Sequence, residues 1–198
     1  MKWFDEVGEG ENGILVYPNL QTFRQIYTNY VKYQLAEEED NNVKGNEQSK
    51  PRIILIATFY ETIESVKDNL SAAGVQNIQS FIDNGSLIIV DAFSSYYPDV
   101  DGMKKLVASL SDRAKKEGKS GVTAIVDMGF FFLFGGDGRA TELINYEASL
   151  APKTEGGDVK GFSCYHEGNY NTLKASQKKE LAQRQKKVFE ITESNNTS

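Results

Sequence analysis

The chain has 198 residues, of which 39% are hydrophobic and 25% are charged, a balance typical of a globular domain long enough to bury a core. Its formal net charge of −6 argues against non-specific nucleic-acid binding, which needs lysine and arginine to neutralise phosphates. The single cysteine excludes an internal disulfide. No apolar run reaches the ~20 residues of a membrane span, and the first ten residues contain no apolar signal core. We therefore expect a cytoplasmic protein without a nucleic-acid or membrane partner.

Short runs rich in β-branched residues alternate with amphipathic stretches along the chain. Strands are predicted at residues 13–17, 52–58, 86–91, 121–127, 161–166 and 188–192. Helices are predicted at residues 20–35, 63–73, 103–114, 138–150 and about 172–186. Most strands are apolar throughout, as parallel strands are when helices cover both faces of the sheet. This pattern predicts an α/β fold, a three-layer sandwich with a mainly parallel central sheet.

Two segments depart from this rhythm. Residues 37–50 are polar and acidic without apolar periodicity, which predicts a mobile surface loop. Residues 193–198 are predicted to form a disordered tail. With no internal repeat and no linker between two cores, residues 1–192 are expected to form a single domain.

The carboxyl ends of parallel strands are where open α/β sheets bind ligands. Strand-end segments are residues 17–19, 58–61, 91–97, 127–134 and 165–167. The first of them lacks the glycines and the lysine that a phosphate-binding loop requires, since Tyr17-Pro18-Asn19 stands there instead. The sequence therefore predicts a nucleotidase-like scaffold without its phosphate cradle.

Two acids follow strands and have two interpretations each. Asp127 ends the fourth predicted strand, where an acid of a nucleotidase would hold Mg²⁺, but a carboxylate that caps a neighbouring loop through backbone N–H groups is favoured. Glu61 follows the second strand and has the position of a general base, although an acid near a helix start more often favours the helix dipole.

Aromatic residues follow two other strands. Phe130 and Phe132 belong to a run of phenylalanines that enters a glycine-rich turn, and Phe93, Tyr96 and Tyr97 follow the third strand. If both loops lie over one edge of the sheet, the rings form the wall of an apolar pocket. The alternative, weighed equally, is that they belong to the core or to a partner-binding patch.

No complete catalytic constellation is present. Cys164 in an apolar strand is expected to be a small buried hydrophobe, and His166 is the only histidine. A second histidine or a cysteine pair at ligand spacing is missing, so we expect neither a metal site nor a cofactor.

Five segments together resemble a known family. In chain order they are the first strand ending in Tyr17, the stretch Asp91…Tyr96-Tyr97…Asp101-Gly102, the strand end Asp127-Met128-Gly129-Phe130, the helix Leu143-Ile144-Asn145-Tyr146-Glu147-Ala148-Ser149-Leu150, and the strand Cys164-Tyr165. Their order and spacing resemble the MEDS domain, the methanogen/methylotroph sensory domain also found in DcmR-type regulators. The match covers about residues 13–192, but Cys164 directly precedes Tyr165 here and residues 37–50 form an additional segment.

This resemblance implies a divergent RecA/KaiC-like fold without hydrolysis. It implies a sensory role, in which the chain binds a small organic molecule and signals to a separate regulator or kinase. Compared with KaiC-like ATPases, Asp127 matches the acid of the metal-holding strand. Glu61 resembles one glutamate of the catalytic pair, and Tyr60 replaces the other glutamate. Strand ends and resemblance together define the candidate ligand-binding residues Tyr17, Asn19, Glu61, Phe93, Tyr96, Tyr97, Asp127, Phe130, Phe132, Tyr146, Glu147 and Tyr165.

Two other functions remain open. The first is residual nucleotide binding or weak ATPase activity, indicated by Asp127 and Glu61. The second is a homo-oligomeric subunit, because RecA-like domains commonly assemble.

Overall fold

A computed structural model describes residues 2–44, 51–96, 101–133, 137–150 and 158–192 of the chain. The strands are β1 (Asn12–Tyr17), β2 (Arg52–Thr58), β3 (Leu87–Asp91), β4 (Gly121–Asp127), β5 (Val159–His166) and β6 (Lys187–Glu190). The helices are α1 (Lys2–Asp5), α2 (Leu20–Lys44), α3 (Ile63–Ala72), α4 (Ile78–Asp83), α5 (Ala92–Tyr96), α6 (Gly102–Lys116), α7 (Asp137–Leu150), α8 (Glu167–Tyr170) and α9 (Ala175–Arg184), with a 3₁₀ helix at Gly129–Phe132. Each predicted strand and long helix is therefore present, with ends that differ by a few residues except at the carboxyl end of α2.

The strands form one six-stranded sheet in the order β3-β2-β4-β5-β1-β6. Every neighbouring pair is parallel, which agrees with the apolar character of the predicted strands. The register pairs Thr58 with Asp91, Asp127 with Cys164, and Tyr17 with His166. The carboxyl ends of the strands thus lie along one edge of the sheet, as the strand-end rule requires.

Alternate residues of each strand enter two separate cores on opposite faces of the sheet. Leu15 and Ile54 pack on one face with residues of α2 and α3, whereas Ile14 and Leu55 pack on the other with residues of α6, α7 and α9. This arrangement is the predicted three-layer sandwich.

Helix α3 is typical of how the local sequence determines these elements. The Thr62 hydroxyl accepts a hydrogen bond from the Ser65 N–H at 3.1 Å and thereby caps the amino end of the helix. Val66 and Leu70 are buried on one side of α3, which ends before Gly74 at φ +87°, a conformation that favours glycine. The predicted stop at Gly74 is confirmed.

The predicted loop at residues 37–50 is wrong for its first part, because α2 continues to Lys44. Residues 36–39 are alanine and glutamates, which propagate a helix well once the preceding apolar turns have nucleated it. Residues 45–50 and the predicted tail at 193–198 lie outside the described residues.

Short helices at the strand ends were not predicted. α5 follows β3, the 3₁₀ helix follows β4, and α8 follows β5. Each has only four or five residues, too few for an apolar periodicity to be recognised in the sequence. They turn the chain back over the carboxyl edge and so position the residues of the candidate site. Among the described helices, none combines the length and apolar character needed to cross a membrane.

Candidate functional site

Asp127, the last residue of β4, is completely buried at the centre of the carboxyl edge. Its Oδ1 accepts a hydrogen bond from the Gly129 N–H at 2.9 Å, and the backbone N–H groups of Phe59 and Tyr60 also donate to the carboxylate. Burial raises the pKa of Asp127 to about 7, although these three N–H groups act to lower it. The carboxylate thus ties the segment after β2 to the segment after β4, which agrees with the loop-capping interpretation.

Tyr17, at the end of β1, is completely buried beside this acid. Its hydroxyl donates to Asp127 Oδ2 at 3.5 Å, and its ring stacks on Phe23 of α2 with 4.7 Å between centroids. Burial, followed by the charge of Asp127, raises the pKa of the Tyr17 hydroxyl. Asn19 has a local role, since its Oδ1 accepts from the Thr22 N–H at 2.9 Å at the start of α2. An aromatic ring and a helix cap therefore occupy the turn between β1 and α2.

The rings of Phe59 and Tyr60 pack against Gly129, two residues after Asp127. A Cβ atom added to Gly129 would lie 2.6 Å from Phe59 Cδ1 and from Tyr60 Cε2, so both rings press directly on this glycine. The Tyr60 hydroxyl accepts a hydrogen bond from Asn169 Nδ2, in α8, and its ring lies 6.3 Å from that of His166. This side of the edge, comprising Tyr17, Phe59, Tyr60, Asp127 and Gly129, is called the closed half below.

Glu61 follows β2 as predicted, but its hydrogen bonds run to helices α2 and α3. Its carboxylate accepts from Arg24 Nε at 2.8 Å, Tyr27 Oη at 3.3 Å, Ser65 Oγ at 3.2 Å and Asn69 Nδ2 at 2.8 Å. The side chain is 2% exposed in its ion pair with Arg24. Sequence spacing could not reveal that four donors from two helices use this carboxylate.

The aromatic residues after β3 and β4 do come together. Tyr96 lies 5.0 Å from Phe130, 5.0 Å from Phe131 and 5.3 Å from Tyr146 between ring centroids, and all four rings are buried. Phe93 and Phe132 are partly buried and pack against the same core. Tyr97 lies outside the described residues. These rings pack on one another within the core on the α6 and α7 face.

Glu147 of α7 forms a second buried polar cluster on that face. It is completely buried and accepts hydrogen bonds from the Tyr165 hydroxyl and from Gln185 Nε2, the latter at 2.7 Å. Burial raises the pKa of Glu147, while its hydrogen bonds to Tyr165 and Ser163 act to lower it. The cluster joins α7 to β5 and to the end of α9, and it brings together the candidate residues Glu147 and Tyr165. Tyr146 Oη is buried nearby with no hydrogen-bond partner among the described residues.

Sequence reasoning missed a cavity of about 440 Å³ at the carboxyl ends of β1 and β6. Its lining consists of Val16, Pro18, Glu167, Tyr170, Asn171, Glu190, Ile191 and Thr192. None of the candidate residues that the structure describes is in this lining, although Pro18 and Glu167 belong to the predicted strand-end segments. The predicted strand-end segments do not include the end of the sixth strand, which supplies Glu190, Ile191 and Thr192 to the lining. This cavity is called the open half below.

A smaller cavity of about 200 Å³ lies at the opposite edge of the sheet, among Phe4, Tyr30, Arg52 and Lys160. Arg52 is mostly buried there and donates to Thr123 Oγ1, Val122 O, Asp158 O and Glu9 Oε1. Cys164 is a free, buried thiol, as expected. Across the described ranges, no three histidine, cysteine or acidic side chains are grouped so as to hold a metal ion.

No protein-family model and no curated protein matches the chain by sequence. Solved structures do match: the chain is similar to a KaiC-like protein from the hyperthermophilic archaeon Pyrococcus horikoshii OT3. That match has a TM-score of 0.56 and 14% identity over 96% of this chain and 75% of the other. A second protein of the same organism matches with a TM-score of 0.53 and 14% identity over 98% of this chain and 87% of the other. These matches confirm the predicted RecA/KaiC-like fold, and at such identity they establish the fold alone.

Proposed function

We propose that this chain is a non-catalytic sensory domain that binds a small organic molecule in the open half of its RecA-like sheet edge. The observation that supports it most is the position of the cavity, at the carboxyl ends of β1 and β6, where parallel α/β sheets bind ligands. Its volume of about 440 Å³ lies within the range of small-molecule sites. The resemblance to MEDS domains supports the sensory role, with signalling to a separate regulator or kinase in the cytoplasm.

The closed half supports the non-catalytic part of this proposal. An acid that holds Mg²⁺ must offer lone pairs to the ion or to its water shell. Asp127 instead directs its buried carboxylate to three backbone N–H groups and to the Tyr17 hydroxyl. Glu61 is engaged by Arg24 and Asn69 in the same way. Both acids would have to exchange these bonds before they could act on a nucleotide.

A melting-temperature screen of small organic molecules and nucleotides tests this proposal. A specific ligand at 100 times its Kd adds about 2.7 kcal/mol, which corresponds to a rise of roughly 5–10 °C for a domain of this size. Replacement of a rim residue, Asn171→Trp, should fill the cavity and abolish the rise, whereas Gln183→Trp on the exposed face of α9 should preserve it. If no compound raises the melting temperature, or if Asn171→Trp leaves the rise intact, the proposed site is wrong.

Residual nucleotide binding is the second candidate, because Asp127 and Glu61 follow the adjacent strands β4 and β2 of a KaiC-like fold. It predicts that millimolar Mg²⁺-ATP raises the melting temperature of the wild type and that Asp127→Asn removes this rise. A melting temperature that Mg²⁺-ATP does not change would exclude it. A homo-oligomeric assembly is compatible with either function and would be detected by light scattering.

A further inference from the structure

We propose that the open half selects a small organic cation, an amine with an apolar body, over neutral and anionic molecules of the same shape. This inference rests on the proposed function and specifies the ligand class of the same cavity. It follows from the chemistry of the walls, the charge of the rim, and the way in which one wall already holds an ammonium group.

The walls can accept an apolar body. Val16, Tyr170 and Ile191 are buried side chains of the lining, and Pro18 adds a fourth apolar surface at the turn after β1. Removing such surface from water is favourable by roughly 25 cal/mol per Å², so an aliphatic or aromatic group gains from entering. The walls alone would not distinguish a charged ligand from a neutral one.

The charge of the rim would distinguish a cation from neutral and anionic molecules. Glu167 and Glu190 both line the cavity and are exposed, and neither carboxylate is in an ion pair with another residue that the structure describes. Among the residues that the structure describes, no lysine or arginine belongs to the lining. A cation that enters would therefore meet the two carboxylates, whereas an anion would be repelled by both.

Tyr170 and Asn171 already bind an ammonium group on this wall. Lys178 Nζ lies 4.8 Å from the centroid of the Tyr170 ring and donates to Asn171 Oδ1 at 2.8 Å. A tyrosine ring and an amide oxygen are suitable partners for a cation, and here the protein's own lysine occupies one side of them. The same tyrosine and asparagine line the cavity together with the two carboxylates.

The test compares three probes that share a benzene ring and differ in charge: 2-phenylethylamine, 2-phenylethanol and phenylacetate. Backbone amide chemical shifts of the isotope-labelled protein are followed during titration at low salt. We expect saturable shifts at Tyr170, Asn171, Glu190 and Thr192 with the amine, with affinity at least fivefold weaker for the alcohol and no saturation with the acid. Higher salt should weaken the amine alone.

Two carboxylate variants identify the source of the selectivity. Glu167→Gln and Glu190→Gln should each reduce the amine affinity about twofold to fivefold, the range of an exposed ion pair, with a larger loss in the double variant. Glu64→Gln, which removes a remote exposed acid paired with Lys67 in α3, should leave the amine affinity unchanged. Since these carboxylates are exposed, unchanged melting temperatures are expected for the unliganded variants.

The outcomes separate the two proposals. If the alcohol or the acid binds at the same residues as tightly as the amine, or if the double variant binds the amine normally, selection of a cation is wrong while ligand binding in the cavity stands. If none of the three probes binds, selection of an amine is overturned, and the broad screen decides the proposed function on its own.

Discussion

The two halves of one sheet edge differ in the environment of their acidic side chains. In the closed half, Asp127 is completely buried and its oxygens accept hydrogen bonds from within the protein. In the open half, Glu167 and Glu190 stand exposed around a cavity of about 440 Å³. Both halves carry acids at the carboxyl ends of parallel strands, yet only the open half leaves its carboxylates free for a molecule from solution.

A position at the carboxyl edge therefore does not determine whether an acid is available to bind a ligand. An acid at the end of a strand is a ligand-binding group only if the neighbouring loops do not use its lone pairs. The segment after β2 donates two backbone N–H groups to Asp127, and no such donor reaches Glu190 from the described residues.

The largest effect is expected from the aromatic packing beside the closed half. Phe131 is 2% exposed and contacts Tyr96, Phe130 and Tyr146, so Phe131→Ala should lower the free energy of unfolding by about 3–5 kcal/mol. Leu133, which is 50% exposed, is the matched control, and Leu133→Ala should cost no more than about 0.5 kcal/mol. Urea denaturation measures both. Equal losses in the two variants would mean that the aromatic residues do not form a packed core.

Asp127 should make stability depend on pH. Its pKa is about 7 in the folded protein, against 3.8 for an unperturbed aspartate, so between these values the folded state retains a proton that the unfolded chain has lost. The contribution of Asp127 to the free energy of unfolding therefore falls as pH rises from about 4 to about 7, by at most about 1.4 kcal/mol per pH unit, and is constant above that.

Asp127→Asn removes this titration. Relative to the wild type, the variant should gain at least about 1 kcal/mol of unfolding free energy between pH 5 and pH 8, measured by urea denaturation at both values. Glu190→Gln, in the open half, should follow the wild-type profile. Parallel profiles for Asp127→Asn and the wild type would contradict the burial of this carboxylate.

A smaller effect is expected at Glu61. Glu61→Gln replaces a carboxylate that accepts four hydrogen bonds with an amide that cannot satisfy all four donors, at a cost of about 1–2 kcal/mol. The loss is limited because the Arg24 side chain is 36% exposed and can be hydrated. Glu64→Gln, on the exposed side of α3, should change the unfolding free energy by less than about 0.5 kcal/mol. Equal effects would show that Glu61 does not join the helices.

The smallest effect is expected from the bond that holds Tyr60. Asn169→Ala removes a donor to an exposed tyrosine hydroxyl, so the free energy of unfolding should fall by only about 0.5–1 kcal/mol. Amide hydrogen exchange at Phe59 and Tyr60 should nevertheless become faster, because these N–H groups are covered in part by the held ring. Asn171→Ala, at the cavity rim, should leave this exchange unchanged. Unaltered exchange in Asn169→Ala would mean that Asn169 does not hold the closed half in place.

The sequence predicted the fold better than the site, for a physical reason. Strand residues such as Ile54 and Leu55 alternate between two cores, so a continuous apolar run followed by a polar turn is enough to locate a covered parallel strand. The same pattern predicts that Asp127 and Tyr17 lie at one edge of the sheet, whereas their hydrogen bond depends on a strand order in which only β5 separates β4 from β1. The polar sequence of residues 37–44 did not by itself predict that α2 continues to Lys44, because propagation of a helix depends on the helical turns that precede the segment.

The direction of each side chain required the tertiary structure. The donors that hold Glu61 are distributed over α2 and α3, and Arg24 is separated from it by 37 positions. Closure of Asp127 depends on β2 lying beside β4, an order that no motif in this sequence specifies. The open half brings together residues as distant as Val16 and Thr192, which become neighbours only because β6 pairs with β1.

The most direct test of the contrast between the halves is a map of backbone amide chemical shifts during titration with the compound that raises the melting temperature most. The proposed function predicts saturable changes at Tyr170, Asn171 and Glu190, with Phe59, Tyr60 and Gly129 unaffected. Saturable changes centred on Phe59, Tyr60 and Gly129, with none around the cavity, would contradict it.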